Sequence, residues 1–202
     1  MENENQKLLT KEEKQNAIDG NLINQIEEFK TKYYTENKKN TFFTKTQKND
    51  CAEKICKNFD MTKLLWQTAY IPQNNQIYID YTAFKLYANS NNYSVILNHV
   101  LYLVNKSITE FNGFEFHINL QGLTVTAIER YKDAIFLFCN QLLSSTSNYS
   151  NKIENICFYY SPSIVDGCAR VFTPLIDIKI REKIQIYSKE DSCNALAKLL
   201  CA

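Results

Sequence analysis

A chain of 202 residues with net charge +1, 45% hydrophobic and 22% charged, is long enough for one domain with a full core and a small helical appendage. That balance excludes general electrostatic attraction to nucleic acid or to an acidic membrane surface, and no apolar run is long enough to span a bilayer. Seven cysteines without a Cys-x-x-Cys pair, and an opening "MENENQKLLTKEEK" with no apolar signal region, predict reduced, packed thiols and a cytoplasmic location. The heavy use of Asn, Lys, Ile and Tyr reads as drift in an AT-rich genome and carries little about function.

Residues 1–20 are polar and charged, and a flexible N-terminus is expected there. Leu22, Ile23, Ile26 and Phe29 recur at helical spacing and open a helical segment over 21–70. Within it, "TENKKNTFFTKTQKND" (35–50) reads as a polar link anchored by Phe42 and Phe43. "CAEKICKNFDMTKLLW" (51–66) reads as one helix or two, with Asp50 as N-cap. From residue 71 the pattern changes. "QIYIDYTAF" (76–84) alternates and is rich in β-formers, which predicts a strand. "YSVILNHVLYLVNKSITEF" (93–111) is a helix with Val95, Leu97, Leu101, Val104 and Ile108 as its apolar stripe.

"FEFHINLQGL" (114–123) is a strand, and "TAIERYKDAIFLFCNQLLSS" (126–145) a helix with Thr124 or Thr126 near its cap. "IENICFYYS" (153–161) is a strand. Ser161-Pro162-Ser163 then opens a helix with Ile164, Cys168, Val171, Phe172 and Leu175 on one side, ended or kinked at Pro174. "KIQIYS" (183–188) is a strand and "CNALAKLL" (193–200) a final helix. Strands alternating with helices predict an α/β fold with a mostly parallel sheet and crossover helices.

Period two divides the strand at 114–120. Phe114, Phe116, Ile118 and Leu120 share the face that helices must cover, and Glu115, His117 and Asn119 share the other. Left unpaired under a cover, these polar groups cost about 1–3 kcal/mol each. His99 and His117 have no His or Cys at a metal spacing, and there is no Gly-rich phosphate loop. "KTKYYTENKKN" is too short a basic-aromatic tract to signal nucleic acid. Lys179, Arg181 and Lys183 read as a solvated face ahead of a phosphate site. The residues give no catalytic constellation, and a non-enzymatic protein is expected.

The run "ENICFYYSPSIVDGCARVFTPLIDIKIREKIQIYS" resembles the core motif of the CRAL-TRIO, or Sec14-like, lipid-binding domain family. There an apolar strand leads through Asn-Ala-Pro or His-Pro to an oily helix, then Pro-Phe-Leu-Asp-Pro, then Lys-Ile opening the next strand. Pro162, Phe172, Pro174, Leu175, Ile176, Asp177, Lys183 and Ile184 fall in the matching places. "FEFHINLQGLTV" resembles the family's Asp-Leu-x-Gly strand end, with Gly122 at the Gly. "NFDMTKLLW" is also similar to its N-terminal helical segment. The resemblance spans roughly residues 71–200. It departs at Tyr160-Ser161 for the usual Asn, at Asn119 for Asp, and at Ile178 for the second Pro. The Glu that pairs with the Lys in phosphoinositide-binding members falls near Asn151, with Glu154 three residues away, so phosphoinositide specificity does not carry over.

The resemblance implies a divergent CRAL-TRIO-like domain over 71–202, lacking the C-terminal part of full-length members. Crossover helices would lie on one sheet face and a gate-like helix on the other. It implies a hydrophobic small molecule or phospholipid as ligand, transient membrane contact, and no cofactor, metal or nucleic acid. The implied ligand-binding residues are Tyr159, Ile164, Val171, Phe172, Leu175, Ile176 and Lys183. The alternative is a module with a degenerate pocket that serves as a protein-interaction or structural scaffold, such as a regulatory module or a structural protein of a large DNA virus.

Overall fold

The structure, a computed structural model, describes residues 20–37, 44–161 and 173–201. Helix α1 (Gly20–Glu36) buries Leu22, Ile26 and Tyr33 along one side. Helix α2 (Thr44–Asn58) begins within the expected polar link, because Thr-Lys-Thr-Gln-Lys contains no helix breaker even though it lacks apolar periodicity. Asp50 is therefore not a cap. It sits inside α2, where its carboxylate accepts the Tyr33 hydroxyl at 2.6 Å and stands 3.3 Å from Lys54. Phe42 and Phe43 lie outside the described residues. Helix α3 (Met61–Thr68) is capped by Asp60, which accepts from the Thr62 amide at 2.7 Å.

Strand β1 (Ala69–Gln73) pairs antiparallel with β2 (Gln76–Asp80) through a turn at Asn74, whose φ is 47°. The sequence gives β1 no signal of its own, since Pro72 interrupts it. A proline is tolerated here because β1 is the edge of the sheet. The strand expected over 76–84 stops at Asp80, which accepts from the Thr82 amide at 2.7 Å and starts helix α4 (Tyr81–Tyr87). A cap thus overrides the β-forming Tyr81, Thr82 and Phe84.

Helix α5 (Tyr93–Phe111) has the expected ends. Its buried side is Ile96, Leu97, Val100, Leu103, Val104 and Ser107, so the stripe is turned relative to the expected one and Val95 is 41% exposed. Strand β3 (Phe114–Asn119) follows, then helix α6 (Val125–Phe138), with Thr124 accepting from the Ala127 amide at its cap. A π-helical turn, Cys139–Leu143, extends α6. Strand β4 (Ile153–Tyr159), a 3-10 turn at Thr173–Leu175, helix α7 (Ile178–Arg181), strand β5 (Ile184–Ile186) and helix α8 (Lys189–Leu200) complete the fold. The helix expected after Pro162 lies outside the described residues up to residue 172. α8 starts four residues earlier than its apolar pattern, because Ser188 caps it.

The sheet order is β1-β2-β3-β4-β5, parallel from β2 onward. On one face Ile77, Phe114, Phe116, Ile153 and Ile156 pack with Leu97, Val100, Leu103 and Val104 of α5 and with Cys139, Leu142 and Leu143. The expected α/β architecture therefore stands, with α5 and α6 on one side of a mostly parallel sheet. A second cluster ties α1, α2 and α3 to α4 and to the first turns of α5 and α6.

Phe116 is fully buried between sheet and helices. Phe116→Ala is expected to destabilise the fold by about 3–5 kcal/mol, read as a lower urea midpoint with an unchanged slope. Val95→Ala, on the same helix layer but exposed, is expected to shift it by less than about 0.5 kcal/mol.

Candidate functional site

The strand alternation that sends Phe114 and Phe116 into the main core sends their neighbours to the opposite face. Tyr78 of β2 pairs in register with His117 of β3, and His117 with Cys157 of β4. One step along, Asp80, Asn119 and Tyr159 form the next row. Leu196 and Leu199 of α8 pack onto Tyr78, Cys157 and Tyr159, with Tyr70, Tyr160, Tyr187 and Ala195 at the margin. Aromatic rings dominate this surface. Tyr159 stacks on Tyr187 at 4.9 Å and on the His117 ring at 5.9 Å, and Tyr70 meets Tyr78 edge-on at 5.3 Å.

The polar groups expected to burden this face find partners on it. His117 Nε2 lies 3.2 Å from Glu115 Oε2, and Nδ1 lies 2.8 Å from the Tyr159 hydroxyl. A carboxylate only accepts, so Nε2 carries the hydrogen and Nδ1 accepts from Tyr159. Asn119 donates to Asp80 at 3.3 Å, and Tyr78 donates to the same carboxylate at 3.4 Å. The cost foreseen for Glu115, His117 and Asn119 is thereby avoided, although Gln76 Oε1, in register with Glu115, is buried without a partner.

Burial holds His117 below the ordinary imidazole value, against the opposing pull of Glu115. Its contact with Glu115 is therefore a hydrogen bond from a neutral ring at pH 7. Burial likewise raises the Tyr78, Tyr159 and Tyr187 phenols and the Cys157 thiol. No thiolate or phenolate is poised here. The arrangement suits an apolar body that offers one or two hydrogen-bonding atoms.

Helix α8 is tethered to the end of β4 by a hydrogen bond. The Tyr160 amide donates to Ser192 Oγ at 2.7 Å, and Ser192 Oγ donates to the Ser188 carbonyl at 2.5 Å. Tyr160 itself has φ 50°, in the left-handed region that an aromatic residue seldom adopts. This turn stands where the resembled motif places Asn.

Of the residues singled out from sequence, Tyr159 belongs to this face and is 3% exposed. Leu175 and Ile176 pack against the main core on the helix-covered side, and the Asp177 amide donates to the Leu143 carbonyl at 2.8 Å. Lys183 is half-buried, and its Nζ donates to the Ile153 carbonyl at 2.6 Å, bracing β5 against β4. Ile164, Val171 and Phe172 lie outside the described residues. Sequence reading missed Tyr78, Tyr187, Leu196 and Leu199. The i, i+3 leucines were visible, but nothing in the sequence said which surface they cover.

Among the described residues no three His, Cys, Asp or Glu side chains gather as metal ligands, and no helix is long and apolar enough to cross a membrane. The family described as CRAL/TRIO domain matches residues 72–200. The crystal structure of Sfh5 is similar with a TM-score of 0.44 and 12% identity, over 70% of this chain and 54% of that one. The chain thus spans about half the length of that solved protein. No curated protein matches.

A depressed His117 pKa means the unfolded chain binds the proton first. Stability is full above the ordinary value of 6.5 and is lost as pH falls toward the folded pKa. Urea unfolding at about pH 7.5 and about pH 5.5 is expected to show a larger loss for the wild type than for His117→Gln. Equal losses would mean that His117 titrates normally.

Proposed function

The chain belongs to the CRAL/TRIO domain family, and from that premise we propose that it binds a lipid or other hydrophobic ligand, without chemistry, on the sheet face beneath α8. The observation that carries this reading is the cluster of Tyr78, Cys157 and Tyr159, which among the described residues is covered by the 12-residue α8. The opposite face is sealed by the 19-residue α5 together with α6 and its π-turn.

The magnitudes support a cover that opens. Re-exposing two buried leucines costs about 3–6 kcal/mol, and an acyl chain returns about 0.8 kcal/mol per buried methylene. A chain of roughly eight methylenes therefore offsets the opening. The tether through Ser192 adds about 1 kcal/mol. Glu115 and the Tyr159 oxygen keep lone pairs that can accept from a hydroxyl on the ligand.

The ligand-lining roles implied for Ile164, Val171 and Phe172 belong to the same proposal. Leu175 and Ile176 serve it only by leaving the main core. Lys183 spends one ammonium hydrogen on Ile153 and keeps two for a headgroup at the sheet edge. Transfer between membranes through transient contact follows if α8 lifts at a bilayer surface.

One observation favours the second reading, a protein-interaction or structural scaffold. Glu115, His117 and Tyr159 are already hydrogen-bonded to one another and Asn119 to Asp80, and α8 already occupies the face. In a scaffold α8 stays closed. Native mass spectrometry of protein purified from cells separates the readings. A bound lipid adduct, exchangeable with vesicles, is expected. Lipid-free protein that takes up nothing from vesicles would refute the carrier and leave the scaffold.

A further inference from the structure

A cleft of about 260 Å³ lies between the N-terminal helices and the turn that leads from β3 into α6. Lys30, Lys48, Lys85 and Arg130 line it, and among the described residues no Asp or Glu does. These four cations come from α1, α2, α4 and α6, so they converge through the fold and not through a charged run in the sequence. A chain with net charge +1 concentrates like charges here, which is unfavourable unless an anion sits among them.

Lys85 and Arg130 leave charge to spare. Lys30 is shared with Glu27 at 2.8 Å. Among the described residues Lys85 and Arg130 have no carboxylate partner. Lys85 lies 5.6 Å over the Tyr81 ring, and Arg130 lies 5.4 Å over the Tyr131 ring. Gly122, at φ 75°, makes the turn, and a Cβ built there would stand 3.6 Å from Lys85 Nζ, which places that ammonium at the mouth of the turn. This is the Gly that the strand-end motif singled out.

Neutral donors complete the lining. Thr124 and Thr126 hydroxyls are 3.1 Å apart beside the cations. Burial pushes the Tyr81 phenol up to about 12 and raises the Cys51 thiol, so both keep their hydrogens at neutral pH. Arg130 lies close enough to Tyr34, Tyr81 and Tyr131 to pull their phenols down against burial.

We propose that this cleft binds a phosphate-class anion, separate from the hydrophobic face under α8. Phosphate matches several converging cations and hydroxyl donors, and a cleft of this size admits a small phosphorylated molecule or a phosphomonoester headgroup.

The test uses the full chain in two arms at fixed ionic strength. One is calorimetric titration with inorganic pyrophosphate. The other is co-sedimentation with phosphatidylcholine vesicles that contain phosphatidic acid. Saturable binding is expected in at least one arm: pyrophosphate binding assigns a soluble ligand, and binding to vesicles alone assigns a headgroup. Lys85→Ala and Arg130→Ala should each weaken it about ten-fold or more. Lys85→Arg should retain it. Lys132→Ala, on α6 but paired with Glu129 at 2.9 Å away from the cleft lining, should leave it unchanged. No saturable binding in either arm, affinities indifferent to Lys85 and Arg130, or an equal loss in Lys85→Arg and Lys85→Ala would each overturn the proposal.

Discussion

Successive side chains of a strand point to opposite faces, so a sheet offers two surfaces whose characters are independent. In this protein the whole arrangement depends on how β3 uses that constraint. Phe114 and Phe116 bring the α5 and α6 layer onto one face and make it a dry core. Glu115, His117 and Asn119, interleaved with them, leave the other face hydrogen-bonded and aromatic. A central strand apolar on both sides would invite helices onto both and leave no surface to spare. The polar half of β3 prevents that, and α8 with its two leucines is what the remaining surface supports.

The chain Glu115–His117–Tyr159 shows why a buried polar row need not destabilise a fold. Each donor meets an acceptor, so burial removes water without orphaning a group. Neutral His117 matters to this account, because a charged ring would need a stronger partner than one half-buried carboxylate. Tyr159 links the polar row to the aromatic cluster, since its hydroxyl bonds to His117 while its ring stacks on Tyr187. Any ligand on this face meets a surface that is hydrogen-bonded on the sheet side and held on the helix side mainly by leucine packing.

Long periodic elements were legible in the sequence. α5 has the ends that its apolar spacing implies, and β3 and β4 stand where β-forming runs stop at turns. β1 was hidden because Pro72 argues against a strand, although an edge strand tolerates it. α4 was hidden because its residues are β-formers and only the Asp80 cap decides the matter. Asp50 was misread for the converse reason: it looks like a cap, but the helix around it needs none there. Tyr159 was legible from the motif it ends. Its neighbours Tyr78 and Leu196 lie 81 and 37 residues away in the chain, and no spacing rule joins them. The cationic cleft was invisible in the same way, since four elements each bring one charge to it.

The central claim is that the ligand face lies between β4 and α8, not on the α5 side. Photo-crosslinking with a diazirine-bearing fatty acid, followed by peptide mapping, tests it most directly. The account predicts adducts on peptides covering 153–160 and 189–200, with Tyr159, Leu196 and Leu199 among the labelled positions. Adducts confined to α1, α2 or α5, or labelling spread evenly over the surface, would contradict it.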